Sequence, residues 1–367
     1  MKNEEKINAR QMAILTICFI IGRAILLVPS ILTRSAENDA WISALLGTII
    51  GILVVMLLIK MMKREPELSV VQHSVKHLGK WFGGFIAINF ILFCLMVASM
   101  HARSMGDFMT TQALTETPIE AINIIFILTC IIATRLGIEV IARASEIFFP
   151  YIVLMLMILF LFLIPELEID RIQPILGNGL KPVIQGAYAN AGFPFFELIV
   201  LMMVIQFVNR PKAGYKGLMT GTVIGGVFIV VLTFVSVLAL GAEAVAIQIY
   251  PTYMLAKIID IGDVFQRIEP IVAGIWFLSL FFKMTLSFFA AALGISHLLQ
   301  LEDYRFLVWP LGLIMCILSL IIYPHIVYVM DFTQKYWTLY TGSFSLFIPL
   351  LLLCVTWIKE RTNRQRV

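Results

Sequence analysis

Apolar residues along this chain fall into long unbroken runs, and the charges gather between them. Ten runs reach about 20 residues or more, enough as helix to cross ~30 Å of hydrocarbon. They cover approximately 10–32, 39–62, 81–113, 118–136, 140–164, 182–207, 215–241, 268–299, 304–324 and 337–358. The pattern predicts an all-α polytopic membrane protein with ten transmembrane helices. No connection exceeds about 30 residues, so residues 1–367 form a single integral membrane domain with no separate soluble unit. "ELSVVQHSVKHLG" (Glu67–Gly79) reads as an amphipathic cytoplasmic helix lying on the bilayer. "IYPTYMLAKIIDIGDVFQRIEP" (Ile249–Pro270) is the longest outer connection and carries Asp260, Asp263, Arg267 and Glu269. It serves either as a cap over an outward vestibule or as a solvated connector. The first run is too long for a cleavable signal peptide and lacks a small-residue cleavage site.

Breaks in the runs refine this. "ICFIIGRAILLVPS" (Ile17–Ser30) puts Arg23 inside an apolar run, directly after Gly22 and six residues before Pro29. "ANAGFPFFELIV" (Ala189–Val200) repeats the theme: Gly192 loosens the helix, and Pro194 removes a donor and disfavours helix at Phe193. A break frees backbone groups that lipid cannot satisfy, so it must face protein, water or ligand. Three glycine pairs lie 170 residues apart: Gly22 and Gly192, Gly47 and Gly217, Gly51 and Gly221. They suggest an inverted repeat of five helices each, 9–165 and 182–358, the arrangement in which transporters place a site where broken helices meet. "GTIIG" (Gly47–Gly51) and "GLMTGTVIG" (Gly217–Gly225) are small-residue stripes for close helix packing.

Composition agrees. Apolar residues make up 60 % and charged residues 14 % of the chain, against about 45–50 % and 25 % in soluble domains. Of the 27 Lys and Arg residues, 18 fall on one side of the spans and 6 on the other. The positive-inside rule then puts both termini in the cytoplasm. The net charge of +4 reflects that bias, and no nucleic-acid motif accompanies it. The five cysteines, Cys18, Cys94, Cys130, Cys316 and Cys354, fall inside spans without C-x-x-C spacing and read as packing residues. No P-loop, no His/Cys metal spacing and no Ser-His-Asp arrangement occurs, so neither catalysis, nor a cofactor, nor a metal is expected.

The remaining cations, Arg23, Arg103 and Lys283, are intramembrane. Such charges cost at least ~2.5–3.5 kcal/mol and mark pathways or sites. Arg23, Glu197 and Lys283 lie near mid-span, two cations against one anion. Glu197 can pair with one cation; an anionic ligand group, such as an amino-acid carboxylate, would compensate the other. Alternatively Lys283 gives up its proton, as buried lysines do, or the charges form a purely structural pair. Arg103 and Asp107, four apart in "SMHARSMGDFM" (Ser99–Met109), share a helix face and compensate each other, lining an entrance toward the outer end of the third span. His101 beside them reads as packed or solvated.

Six stretches carry a resemblance to a known family: "GRAILLVP" (Gly22–Pro29), "LGKWFGG" (Leu78–Gly84), "ARSMGDFM" (Ala102–Met109), "IQPILGNGLKPVIQGA" (Ile172–Ala187), "IYPTYML" (Ile249–Leu255) and "RIEPIVAGIWFLSLFFK" (Arg267–Lys283). In these the chain resembles the B subunits of GerA-type spore germinant receptors, a spore germination permease family of the amino acid–polyamine–organocation superfamily. The resemblance implies the leucine-transporter five-plus-five fold with broken first and sixth helices. It implies a protein of the inner spore membrane that recognises a small germinant, often an amino acid, between those helices. Its partners would be an A subunit and a lipoprotein C subunit. By position Gly22, Arg23 and Ala24 match the first unwound segment, Glu197 the glutamate after the second, and Arg103 and Asp107 an Arg–acid pair of the third helix. The implied ligand set is therefore Gly22, Arg23, Ala24, Gly192, Phe193, Phe196, Glu197 and Lys283. Lys283 would stand where relatives bind sodium. Two departures stand out: Arg23 is larger than the usual residue, and Phe195 replaces a glycine, which is expected to narrow the pocket. A working amino-acid permease, proton-coupled or exchanging, is the rival reading, because fold does not fix function.

Overall fold

A computed structural model describes residues 5–258 and 269–364. Asp260, Asp263 and Arg267 of the expected outer connection lie outside the described residues. All regular elements among those described are helical, apart from one isolated bridge between Ile7 and Val208.

The chain enters through α1 (Ala9–Ala36), whose N-terminus is closed by a capping box between Asn8 and Gln11. A three-residue turn, Glu37–Asp39, leads to α2 (Ala40–Met62). Next come α3 (Val70–Leu78), α4 (Lys80–Phe108), α5 (Ile119–Leu136) and α6 (Ile138–Leu163). Gly137 joins α5 to α6 at φ 97°, a value that only glycine adopts without strain. The chain continues through α7 (Leu180–Asn190), a π turn (Ala191–Phe195) and a tight 3-10 segment (Phe196–Met203). After α8 (Pro211–Leu240) come two short helices, α9 (Ala242–Ile247) and α10 (Pro251–Ile258). The long α11 (Glu269–Leu299) and α12 (Val308–Ile321) follow. The last rod comprises α13 (Ile326–Phe332), α14 (Thr338–Gly342) and α15 (Ile348–Arg364), joined by π turns. It starts at Ile326, a full three turns before the expected 337.

By length and composition, eight helical runs among the described residues qualify as membrane spans, against ten expected. The difference has two sources. The first run, Ala9–Met62, contains both α1 and α2, and Arg305–Ile321 falls short of the ~20 residues a crossing needs. The spans are not equivalent. In its most apolar window, Leu180–Met203 is 94 % buried, whereas Ile138–Glu166 is 22 % buried. The broken helices therefore form the centre, and α2, α5, α6 and α12 turn Leu53, Ile125, Met157 and Leu313 outward as a lipid-facing rim.

Small residues let the centre close. A Cβ added to Gly47 would lie 2.6 Å from the Asn190 side chain, and one on Gly51 2.4 Å from the Phe195 ring. In the other stripe, a Cβ on Gly221 would meet the Ala13 carbonyl oxygen at 2.6 Å, and one on Gly225 the Ile20 side chain at 2.9 Å. Thus α2 lies against the second broken helix and α8 against the first, with no room for a methyl group between them.

α3 corrects an expectation. It is capped by Ser69 and Gln72 as its sequence implies, but its apolar side is consumed by protein rather than bilayer. Val70, Val71, His73 and Ser74 are buried, and the Ser74 carbonyl occupies the space that a Gly83 side chain would need. Burial holds His73 below its ordinary pKa; burial raises the neighbouring Glu65 carboxyl, but Lys76 and His77 outweigh that and leave it lowered. Both ends of the described chain lie at this end of the bundle: Glu5 contacts Arg305, and Lys359 donates to the His77 carbonyl at 2.8 Å.

Replacing Gly221 by leucine should lower stability by about 1–3 kcal/mol through overpacking against α1. Gly84→Ala, where an added Cβ meets nothing within 4 Å inside α4, should hold or raise it, by up to about 1 kcal/mol. Thermal denaturation of both variants in detergent checks the contrast; equal melting points would contradict the packing described.

Candidate functional site

Both sequence-predicted breaks are present. Gly22 interrupts α1 at φ 5°, ψ −113°, and Phe193 leaves helical geometry at φ −132°, ψ 110°. What fixes the first break is a close approach from α11: a Cβ on Gly22 would fall 2.7 Å from Cδ of Lys283. The lysine stem thus lies on the glycine, and its ammonium passes the break to reach the second broken helix.

There Lys283 Nζ stands 2.6 Å from Glu197 Oε2, with the side chains 0 % and 1 % exposed. Neither atom has a well-directed hydrogen-bond partner among the described residues, so proximity of charge holds the pair. The ammonium also lies 4.8 Å from the centre of the Phe19 ring and 4.9 Å from that of Phe193, within cation–π range. The other carboxylate oxygen, Glu197 Oε1, accepts a hydrogen bond from Trp337 Nε1 at 2.8 Å. One carboxylate thereby connects α11, the second break and the last rod.

Arg23 takes no part in that pair. It is 3 % exposed, and its Nε and Nη2 have no hydrogen-bond partner among the described residues. Its guanidinium lies over the Phe193 ring, with Cζ 5.6 Å from the ring centre. His101, Tyr250 and Tyr323 lie within electrostatic range of the guanidinium. Buried polar atoms without a hydrogen-bond partner among the described residues include both ring nitrogens of His101, the Tyr250 hydroxyl and Trp276 Nε1. Phe108 packs edge-on against Tyr250 and, tilted, against Trp276, with ring centres 5.1 and 4.6 Å apart. A buried guanidinium with unused donors is costly, and an anion of the right size would satisfy it.

The structure brings Gly22, Arg23, Phe193, Glu197 and Lys283 together and buries Ala24 beside them. Gly192 and Phe196 instead face the last rod. A Gly192 Cβ would strike Thr338 at 2.2 Å, the Phe196 carbonyl accepts from Ser345, and the Phe196 ring lies against Gly342. Phe195 does not produce the expected narrowing, because its ring is seated between Gly51 and Gly226. Arg103 and Asp107 form their pair, Nε to Oδ1 at 3.0 Å. The pair clasps the end of α12: Arg103 donates to the carbonyls of Leu320 and Pro324, and Asp107 accepts from the Tyr323 hydroxyl at 2.8 Å.

Sequence reasoning missed Trp337, Tyr250 and Trp276 and set His101 aside. Trp276 lies seven residues before Lys283, two turns along one helix face, so it could have been found by that spacing. Trp337 could not, since it stood at the expected edge of the last span.

Removing one member of a buried ion pair leaves an uncompensated charge, at a cost of about 3–5 kcal/mol. Lys283→Met should therefore lower the melting temperature in detergent sharply, and adding Glu197→Gln should recover most of the loss. A double variant as unstable as the single one would mean that packing, not charge, dominates there.

Comparison with known proteins follows this geometry. Residues 6–327 match the model of a family described as "Spore germination protein". Among curated relatives, "Spore germination protein KB" of Bacillus subtilis (strain 168) is 28 % identical, covering 98 % of this chain and 97 % of its own. "Spore germination protein YndE" of the same strain is 26 % identical over 98 % of each chain. Among solved structures, the nucleobase-cation-symport-1 transporter MHP1 superposes with a TM-score of 0.68 at 12 % identity, covering 90 % of this chain and 75 % of that one. MhsT in complex with L-phenylalanine gives 0.63 at 15 % identity, covering 97 % and 99 %. The fold is that of leucine-transporter-like transporters, and the chain, a multi-pass integral membrane protein, belongs to the spore germination protein family.

Proposed function

We propose that this chain is the germinant-binding transmembrane subunit of a spore germination receptor, taking a small molecule with a carboxylate, an amino acid, between its two helix breaks. The observation that carries the reading is Arg23: a buried guanidinium with unused donors beside the Gly22 break, while the other mid-membrane charges already satisfy each other. In this reading Arg23 and the exposed helix start hold the carboxylate. Glu197, released in part from Lys283, holds the ammonium, and Phe193 forms the wall between them. Lys283 occupies the place where transporter relatives bind sodium, which makes binding sodium-independent. Reciprocal packing of the two glycine stripes supports an inverted repeat of 9–165 and 182–358. The excess of Lys and Arg at the end carrying both termini supports an orientation with that end toward the spore core, in the inner spore membrane. A ligand acts by binding one arrangement of the broken helices better than another, and an A subunit and a lipoprotein C subunit read the difference.

The permease reading draws on the transporter fold itself, and it is separated by one measurement. Gradient-driven amino-acid uptake by the reconstituted chain alone favours a permease; germinant-dependent ion release that needs A and C subunits favours the receptor. For the site, spores carrying Arg23→Ala or Glu197→Gln should contain normal amounts of the protein. They should require at least about tenfold more germinant, the size of a lost charged hydrogen bond, if they respond at all. Replacing sodium by choline should change nothing. Unaltered dose–response curves from both variants would remove the assignment.

A further inference from the structure

A strongly cationic open feature among the described residues lies away from the helix breaks. A cleft of about 760 Å³ opens where α2 ends and α8 begins, and it runs into a second of about 550 Å³. The two share Lys63, Lys212, Tyr215 and Lys216, and Arg210 closes the first. Those four cations have no carboxylate among the residues lining either cavity, and all four are exposed. Lys212 and Lys216 are one turn apart on α8 and so present their charges side by side. The hydroxyl of Tyr215, a residue only 5 % exposed, is buried at the same place without a hydrogen-bond partner among the described residues. Cations around a cavity, with no ion pair among the described residues and a hydroxyl donor in the wall, suit a phosphate group.

The lower wall says which kind of phosphate. Met56, Ile59 and Met219 line the second cavity. Beyond it the outward face of α2 shows Ile49, Leu53 and Met56, and that of α8 shows Val223, Val227 and Val231, all exposed apolar residues. A charged mouth therefore stands at the head of an apolar face, the layout of a phosphodiester joined to acyl chains. We propose that this cleft is a binding site for an anionic phospholipid, its headgroup phosphate held by Lys63, Arg210, Lys212, Lys216 and the Tyr215 hydroxyl. The site is independent of the ligand reading above, since it shares no residue with the helix breaks. Basic pockets between transmembrane helices on the cytoplasmic side attract anionic headgroups with about 1 kcal/mol per Lys or Arg.

The test uses the full chain in neutral detergent, with native mass spectrometry for binding and thermal denaturation for stabilisation. The probes are phosphatidylglycerol, phosphatidylcholine of the same acyl chains, and glycerol 3-phosphate. Phosphatidylglycerol should bind and raise the melting temperature, with an affinity that falls as salt rises. The other two should bind at least about tenfold more weakly. Lys212→Ala/Lys216→Ala should cost phosphatidylglycerol about thirtyfold in affinity, and Tyr215→Phe should cost less. Equal binding of phosphatidylglycerol and phosphatidylcholine by the unaltered protein would overturn the proposal, and that measurement needs no variant to fold. Unchanged phosphatidylglycerol affinity in the double variant would overturn it as well. Glycerol 3-phosphate binding as tightly as the lipid would replace the lipid by a soluble phosphate.

Discussion

The contact between Lys283 and Glu197 is the constraint around which the centre of this molecule is arranged. Water is excluded at both side chains, so each charge is tolerable only while the other is in place. The lysine can reach the glutamate only by lying across α1 where α1 has no side chain, at Gly22. The break at Gly22 thus also accommodates an ion pair. The remaining oxygen of the same carboxylate secures Trp337 and with it the last rod. Three chain segments far apart in sequence therefore meet on one functional group, and none can move independently of the other two.

Much of this was legible in the sequence, because lipid imposes simple rules. Long apolar runs gave the helices, and glycine and proline gave both breaks at the residues where they occur. Charge within apolar runs identified Arg23, Glu197 and Lys283 as neighbours. Which cation would take Glu197 was not legible, since the choice depends on how α11 is rotated against α1. Periodicity places a residue on a face; it does not say which of two cations on different helices the face will meet. Trp337 escaped for a related reason. Its rod begins at Ile326, where Pro324 and His325 made the apolar run look interrupted. The surface position expected for α3 failed because amphipathicity does not distinguish a lipid surface from a protein one.

Phe195 teaches something different. A bulky residue where the resemblance leads one to expect glycine suggests a smaller pocket, yet the ring fills a hollow made by Gly51 and Gly226 on two other helices. Volume gained at one position is matched by volume given up elsewhere, so a substitution near a site reports on the whole packing layer. The same complementarity explains why glycines gather on the inward faces of α2 and α8 and large apolar residues on their outward faces, where lipid conforms to whatever it meets.

The last rod carries a further consequence. Trp337, Thr341 and Ser345 each bond toward the second broken helix, and they recur every four residues. In an α-helix a four-residue spacing drifts by about 40° at each step, so such a stripe would soon wind away from its partner. The π turns at Thr333–Trp337 and Ser343–Phe347 widen the coil at both ends of α14 and take up that drift. The rod thereby behaves as a keyed shaft: its contacts depend on angular phase as well as on residue identity. One inserted or deleted residue anywhere in α14 would turn everything beyond it by about 100°, uncoupling Lys359 and α3 from the carboxylate at the centre while leaving every side chain in the rod chemically intact.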